Sequence, residues 1–444
     1  MHTDTATSEH TVFRSSRGFG HHFLLPLIAI LVVGAIGLYL TLASNAKGPD
    51  SPSAKIGFVD DGAYVSKAQH PFSSVRDYLK GGDKNPYAFA ITEGGMRHTV
   101  LNVGLRELVR VDAATGKTTY APHALEDRIA NAVKWNKSHR YQKLTVHVRL
   151  QVGDTAPEEW KDICGRVTMT DPNFNVTAVV PRWWAKSRDG QHYLYRELYA
   201  NAMKALAPAI DAINADPEHP NIIGSINLPA AAPNYAEPMI LYTSSVAVRR
   251  SLIRSGFTAV EHNKFMLWVP KTAAYFHDIK VELALNPYQN IDENTGDPTN
   301  RDKLLYQKMG ETLMATVGNR AVLANYSARS LFTYGGKGDY DTMYDWMSAQ
   351  AKAKKAWAGV QMARPQNVAN GNKTPSDPEQ WDNVARWAAS KGFYFAETTG
   401  PGSGDGIKRQ PGIANVWPRA YHDDKNDVAT MKSIGDLFRR NARP

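Results

Sequence analysis

The feature that most constrains the fold is a succession of short apolar strands and amphipathic helices from about residue 107 onwards. The strand patterns are ELVRVDA (107–113), LTVHVRLQVG (144–153), NIIGSINL (221–228), IKVELALNP (279–287), RAVLANYS (320–327), WAGVQMARP (357–365) and GFYFAETTGPGSG (392–404). Most are followed by a helical pattern of ten to twenty residues, such as 193–213. This alternation is typical of parallel β/α units whose strands are covered on both faces.

A closed barrel fits this succession better than an open doubly wound sheet. No second set of units is present, and no dinucleotide fingerprint follows the first strand. The glycine-rich stretch 400–406 lacks the Lys-Ser/Thr pair of a phosphate loop. We therefore predict a (β/α)8 TIM barrel of roughly 340 residues, within the usual size range of that fold. Its eighth strand is expected from YAFAIT (87–92) or from 163–184, where VTMTDPNFNVTAVV also predicts a hairpin.

Composition excludes several functional classes. The net charge of +9 is scattered over 444 residues without a basic block, so we predict no nucleic-acid partner. Cys164 is the only cysteine, so no intramolecular disulfide can form. No His, Cys, Asp and Glu cluster has metal-ligand spacing, and no G-x-S-x-G turn occurs. We expect neither a metal nor a cofactor.

A charge-free apolar stretch, FLLPLIAILVVGAIGLYLTLA (23–43), predicts a single transmembrane helix ahead of the barrel. Its length matches the roughly 20 residues that span a bilayer. A cleaved signal peptide has an apolar region of roughly 7–15 residues. The small residues 44–46 could be a cleavage site, but the length favours a retained signal-anchor.

These boundaries divide the chain into a cytoplasmic tail (1–22), the anchor (23–43), a linker and irregular lead-in (44–85) and the barrel domain (86–444). Basic residues on both sides of the span give no strong orientation signal. A short tail before a long globular chain favours a single-pass protein of the inner (plasma) membrane. The barrel domain is then expected in the periplasm or another extracytoplasmic space.

In such a barrel, catalytic residues are expected at the carboxyl ends of the strands. The predicted strand ends carry Arg149, Tyr235, Glu237, Asn286, Tyr288, Tyr326, Gln361 and Glu397, and a nearby loop adds Trp183 and Trp184. Two carboxylates match the requirements of glycosidic bond cleavage, where one protonates the leaving oxygen and the other attacks or activates water. The aromatic, arginine and amide side chains would bind the sugar rings and their hydroxyls.

Two stretches resemble a known family. NIIGSINLPAAAPNYAEPM (221–239) resembles the acid/base region of clan A glycoside hydrolases, where a strand ends in Asn-Glu-Pro or a similar triplet. VHVRLQVGDTAPEEW (146–160) is similar to the second-strand region of the β-galactosidase-like members. The resemblance extends over about 100–440. It implies a (β/α)8 barrel in which Glu237 is the general acid/base and Glu397 the second carboxylate.

The chain also departs from that family. Ala236 stands where the family has Asn before the acid, and the family's nucleophile lies on strand seven. If Glu237 follows strand four, Gln361 ends strand seven and Glu397 falls on strand eight. Either that count is off by one, or an amide occupies the nucleophile position.

Two functional interpretations therefore remain open. The first is a membrane-anchored hydrolase of an extracytoplasmic polysaccharide or oligosaccharide. The alternative is a non-catalytic glycan-binding or assembly partner of exopolysaccharide or cell-envelope biosynthesis proteins. At the residue level, Pro238 also allows Glu237 to be an ordinary acid in the first turn of a helix. The Trp183–Trp184 pair fits packing better than a sugar platform.

Overall fold

The computed structural model describes residues 54–60, 95–112, 115–171, 176–233, 236–238, 241–328, 338–362, 378–397 and 425–442. Its strands are β1 (Gly57–Asp60), β2 (His98–Gly104), β3 (Val109–Val111), β4 (Thr118–Tyr120), β5 (Thr145–Gln151), β6 (Arg166–Asp171), β7 (Val176–Pro181), β8 (Ile223–Asn227), β9 (Lys280–Ala284), β10 (Asn290–Ile291), β11 (Pro298–Thr299), β12 (Ala321–Ala328), β13 (Trp357–Met362) and β14 (Phe395–Glu397). Its helices are α1 (Leu105–Leu108), α2 (Glu126–Ser138), α3 (Glu158–Cys164), α4 (Leu194–Ala215), α5 (Val246–Arg254), α6 (Ala259–Trp268), α7 (Leu305–Val317), α8 (Gly338–Lys352), α9 (Pro378–Ser390) and α10 (Lys425–Ala442), with 3-10 turns at Val269–Tyr275 and Gly318–Arg320.

None of the helices in these ranges has the length and apolar character of a membrane-spanning helix. The predicted tail (1–22) and anchor (23–43) lie outside the described residues. The same is true of YAFAIT (87–92), one of the two segments expected to supply an eighth strand.

Eight of the described strands form one closed barrel, in the order β1-β14-β13-β12-β9-β8-β5-β2. Every neighbouring pair is parallel, including the β1–β14 pair that closes the ring. The predicted eight-stranded parallel barrel is thereby confirmed, and its architecture is consistent with a TIM barrel. In chain order β8 is the fourth barrel strand, β13 the seventh and β14 the eighth.

The first barrel strand lies where the sequence predicted a linker. Strand β1 pairs with β14 and β2, so the barrel begins before residue 86 and takes part of the predicted lead-in (44–85). The strand has only four residues and begins at Gly57, whose φ is +85°. Its outward side chain Phe58 packs edge-on against Phe438 of α10, with ring centroids 5.9 Å apart. A segment this short carries no periodicity that a sequence can show.

Two further strand predictions were wrong. Strand β2 is a barrel strand that the pattern did not reveal. In the predicted strand ELVRVDA (107–113), residues 107–111 form instead the end of α1 and strand β3, which pairs with β4 outside the barrel. Residues 163–184 do not supply the eighth strand. They form the antiparallel hairpin β6–β7, as VTMTDPNFNVTAVV had also predicted.

The barrel interior is polar. A contact between strands that are not neighbours must cross this interior, as the ion pair between Arg149 of β5 and Glu397 of β14 does. Lys55, just before β1, also forms ion pairs there with Glu282 of β9 and Glu397. One deep layer is a hydrogen-bonded chain in which His98 Nδ1 lies 3.0 Å from His147 Nε2, and His147 Nδ1 lies 2.8 Å from Ser225 Oγ. Burial, followed by the charge of Lys55, lowers the pKa of His98 to about 3. The histidine pair is therefore neutral.

Candidate active site

The loop that carries Glu237 leaves the end of β8 and is anchored there by Asn227. The Asn227 side chain accepts the backbone N–H of Leu150 at 2.6 Å and donates to the carbonyl of Ala236 at 2.8 Å. Asn227 is buried, so both of these bonds are shielded from water. The residue before Glu237 is thus tied to the fourth barrel strand and, through Leu150, to the third.

The first half of this loop is held by helix α4. Tyr195 Oη donates to the carbonyl of Ala230, and Tyr199 Oη donates to the carbonyl of Pro229, each at 2.6 Å. The carbonyl of Pro238 in turn accepts the backbone N–H groups of Ala230 and Ala231 at 2.9 and 3.0 Å. The loop therefore folds back on itself, which fixes Glu237 over the barrel.

Gly153 allows the loop after β5 to touch the Glu237 loop. A Cβ at this position would lie 2.2 Å from the carbonyl oxygen of Ala232 and 2.6 Å from that of Ala231. Such distances to backbone atoms exclude any larger residue without a shift of the chain. The neighbouring Asp154 N–H donates to the carbonyl of Pro233 at 3.1 Å, which joins the two loops at the mouth of the barrel.

Glu237 is a buried carboxyl group with an exposure of 8%. Burial raises its pKa to about 7, partly offset by a hydrogen bond from its own backbone N–H and by the charge of Arg149. The charge of Glu237 acts in turn on Tyr288, whose pKa is raised by burial and then by this carboxylate. The Tyr288 hydroxyl is buried and has no hydrogen-bond partner in the described structure. Glu237 is therefore close enough to Tyr288 for its charge to act on the hydroxyl.

The raised pKa of Glu237 predicts a pH-dependent cost in stability. An unfolded glutamate has a pKa of about 4.3, below the folded value of about 7. The contribution of this group to stability is therefore fully present below about pH 4.3 and is lost as the pH rises through about 7. Glu237→Gln removes this pH-dependent cost. We therefore expect the free energy of unfolding of the variant, relative to that of the wild type, to be about 3 kcal/mol higher at pH 8 than at pH 4.5. Urea denaturation at both pH values measures this, and an equal effect at both would contradict it.

Glu397 ends the eighth barrel strand and is fully buried. Arg149 Nη2 donates to both of its carboxylate oxygens at 2.5 Å, Lys55 Nζ lies 3.3 Å from Oε2, and Gln361 Nε2 donates to Oε1 at 3.1 Å. Two cations therefore contact this one carboxyl group. The count of strands also holds: Gln361 lies on strand seven and Glu397 on strand eight.

A second buried carboxylate, Glu282, completes this cluster from the fifth barrel strand, β9. Lys55 Nζ lies 2.8 Å from its Oε2, and Tyr326 Oη donates to its Oε1 at 2.5 Å. The guanidinium of Arg149 lies over the Tyr326 ring, 4.2 Å from its centroid. Burial would raise the pKa of Glu282, but Lys55 and Arg149 outweigh burial and lower it. The cluster thus contains two cations and two carboxylates.

The structure brings most of the predicted site residues together. Arg149, Tyr326, Gln361 and Glu397 are in direct contact, and the charge of Arg149 also acts on Glu237 beside Tyr288. Asn286 lies at the end of the fifth strand, half-buried, and accepts a hydrogen bond from Asn325 at 3.0 Å. Tyr235 lies outside the described residues.

Two members of the cluster, Lys55 and Glu282, were missed in the sequence. Glu282 alternates with Val281 and Leu283 in a strand pattern, and a lone acid at an inward position was the available signal. Lys55 stood in a predicted linker and gave no such signal.

The predicted substrate-binding role of Trp183 and Trp184 is contradicted by their surroundings. Their rings meet edge to face with centroids 4.6 Å apart, and both pack against Phe257. Trp183 Nε1 donates to His262 at 3.2 Å, and Trp184 Nε1 to the carbonyl of Ser255 at 3.2 Å. Buried rings with satisfied N–H groups offer no face to a sugar, so the pair packs inside the protein.

The chemistry available at the barrel mouth is that of two unlike carboxyl groups. Glu237 exchanges a proton near neutral pH, whereas Glu397 is held by cations. Such a pair matches general acid catalysis next to a fixed negative charge. Within the described residues, no group of three or more His, Cys, Asp and Glu side chains could hold a metal ion.

No protein-family profile matches the chain, and no curated protein matches its sequence. Solved structures with a similar chain path include the catalytic domain of β-amylase from Paenibacillus polymyxa (10% identity, 87% of this chain and 99% of that chain, TM-score 0.42). A Bacteroidetes-affiliated GH5 cellulase linked with a polysaccharide utilization locus has 10% identity over 86% and 94%, with a TM-score of 0.43. A hyperthermophilic endocellulase from Pyrococcus horikoshii has 12% identity over 86% and 92%, also with 0.43. Similarity at this level bears on neither the activity nor the substrate of the present chain.

Proposed function

We propose that this protein cleaves glycosidic bonds in a polysaccharide or oligosaccharide, with Glu237 as general acid/base and Glu397 as the second carboxylate. The observation that carries the proposal is the buried Glu237 carboxyl group on the loop after the fourth barrel strand, whose pKa is about 7. An acid of that pKa is still protonated in about half of the molecules at neutral pH and can release its proton to a leaving oxygen. Such a group is the first requirement of glycoside hydrolysis.

The second requirement of glycoside hydrolysis is a second carboxylate, and Glu397 is the candidate for it. The transition state of glycosidic cleavage resembles an oxocarbenium ion, so a fixed negative charge near the anomeric carbon stabilises it. Arg149 and Lys55 hold the Glu397 carboxyl group in place. In the proposed mechanism Glu397 either attacks the anomeric carbon or activates the water that does so, and the stereochemistry of the product distinguishes the two routes.

The remaining polar groups would bind the sugar. Tyr288 offers a buried hydroxyl without a hydrogen-bond partner in the described structure, beside Glu237. Asn286 and Gln361 offer amides at the ends of the fifth and seventh strands. Tyr235 belongs to this proposal on its sequence position alone. We retain the predicted anchor at 23–43, which would hold the domain on the extracytoplasmic side, beside envelope or exopolysaccharide biosynthesis proteins.

The second candidate, a glycan-binding protein without hydrolytic activity, is favoured by one specific observation. Gln361 occupies the end of strand seven, and both oxygens of the strand-eight carboxylate are engaged by Arg149. A carboxylate that keeps those bonds is a weak nucleophile.

A paired assay separates the two candidates. The purified chain is incubated with borohydride-reduced polysaccharides and oligosaccharides, and new reducing ends and the anomeric configuration of the product are recorded. Binding of the same glycans is measured by calorimetry. Cleavage that disappears in a folded Glu237→Gln protein supports the hydrolase. Binding without cleavage supports the second candidate, and the absence of both overturns both.

A further inference from the structure

Lys55 occupies the floor of the candidate site although it comes from the segment that precedes the first barrel strand. It lies two residues before β1 and has an exposure of 3%. Its Nζ lies 2.8 Å from Glu282 Oε2 and 3.3 Å from Glu397 Oε2. The same ammonium group lies 5.1 Å from the centroid of the Phe395 ring. One cation therefore connects the first, fifth and eighth strands across the interior.

We propose that Lys55 is a positioning residue of the site, whose ammonium group ties the Glu397 carboxylate to Glu282 and so fixes its orientation and charge for catalysis. This inference rests on the proposed glycosidase function. Arg149 and Gln361 approach Glu397 from the third and seventh strands, and the Lys55 ammonium group approaches its Oε2 from the segment before the first strand. Lys55 contacts the carboxylates of both Glu397 and Glu282 and thereby links the eighth strand to the fifth.

A second cation near Lys55, Arg149, is already bound to Glu397. On the mouth side it faces Glu282 and Glu397, with Arg149 and Tyr326 beyond them. On the deep side lie His98 and His147, whose pKa values are lowered mainly by burial. The charge of Lys55 is the next cause for His98, and for His147 it follows the charge of His98. A neutral histidine pair cannot replace an ammonium ion. Removal of Lys55 leaves two buried carboxylates opposite one guanidinium.

The first test is Lys55→Met, which keeps the length of the side chain and removes the charge. Misorientation of a catalytic group typically costs up to about a hundredfold in rate, so we expect kcat to fall about ten- to a hundredfold with KM nearly unchanged. The matched control is Lys137→Met, because Lys137 forms an exposed pair with Glu218 at 2.6 Å. That control should change neither constant.

A second measurement, the Tm as a function of pH, tests the ion pairs of Lys55 without any substrate. In the wild type the pKa of Glu282 is lowered, so its stabilising contribution is present above the unfolded pKa and is lost as the pH falls through the folded pKa. In Lys55→Met the charge of Lys55 is gone while Arg149 and the Tyr326 hydrogen bond remain, so the pKa of Glu282 rises relative to the wild type and the variant gains less stability as the pH rises. The difference in Tm between wild type and variant should therefore widen from about pH 4 to about pH 7. A difference independent of pH would overturn the proposed ion pairs.

The double variant Lys55→Met/Glu282→Gln separates positioning from charge balance. It again has one cation and one carboxylate, so we expect the Tm to recover relative to Lys55→Met while kcat stays low. Recovery of both would show that Lys55 serves stability alone and would overturn the positioning role. The double variant also keeps the test decisive if Lys55→Met fails to fold.

The two proposals fail in different ways. A wild-type protein that cleaves no glycan, but shows the pH-dependent Tm difference, overturns the proposed function and with it any catalytic role of Lys55. A wild-type protein that cleaves, with unchanged kcat in Lys55→Met, overturns the positioning role alone.

Discussion

Glu237→Gln is expected to lower kcat about 10²- to 10⁴-fold, the usual contribution of a general acid. The amide has nearly the same size but no proton to give to the leaving oxygen. Its loop is held by the Asn227 amide at Ala236 and by backbone hydrogen bonds at Pro238, which do not involve the Glu237 side chain, so the site should keep its shape. KM should therefore change little.

The pH dependence of kcat provides a second test of the same role for Glu237. Because Glu237 must be protonated to act and its pKa is about 7, wild-type kcat should fall as the pH rises above about 7. Gln does not titrate, so this alkaline limb should be absent from the residual activity of the variant. Glu197→Gln is the matched control, since Glu197 is an exposed glutamate paired with His192 at 2.9 Å. Full turnover in the Glu237 variant, or an alkaline limb that persists, would contradict the assigned role.

Arg149→Met is expected to destabilise the fold by about 3–5 kcal/mol, the cost of breaking a buried ion pair on one side. Arg149 binds both oxygens of Glu397 and covers the Tyr326 ring. Its loss leaves Lys55 alone opposite two buried carboxylates. Guanidinium chloride denaturation at pH 7 measures the change, and a lower pH should reduce it because protonation removes the unpaired charge.

A control and a second variant show whether that loss comes from the ion pair. Arg166→Met removes an exposed arginine that pairs with Glu158 and Asp162, and it should leave the free energy of unfolding almost unchanged. Arg149→Met combined with Glu397→Gln should recover part of the lost stability, since both charges of the pair are gone. If the double variant is no more stable than Arg149→Met, packing on Tyr326 and not charge accounts for the effect.

The barrel could be predicted because buried parallel strands produce continuous apolar runs that helices separate. NIIGSINL and IKVELALNP show this pattern, and their strands β8 and β9 lie where the pattern predicts them. Strand β1 could not be found in this way, since four residues after a glycine have no period. ELVRVDA has the composition of a barrel strand, yet it pairs locally with β4, because composition does not determine the partner.

The site was predictable only where position in the fold determines function. Glu237, Arg149 and Glu397 follow from the rule that side chains at strand ends meet at the mouth of a barrel. The Trp183–Trp184 pair shows the limit of that rule, since an aromatic loop residue has the same pattern whether it packs against protein or sugar. Lys55 was missed because its partners Glu282 and Glu397 lie 227 and 342 positions further along the chain.

The wide separation of Lys55 and Glu397 in the chain has a consequence for biosynthesis. Lys55 is translated among the first strands of the barrel, but the carboxylate of β14 leaves the ribosome 342 residues later. Until then Lys55 and Glu282 cannot complete the buried cluster, and β1 lacks one of its two neighbours. An incomplete nascent barrel would bury charges without partners, which is unfavourable. Compact closure should therefore wait for the last strand, so that chains shortened before Glu397 remain open and accessible to proteases.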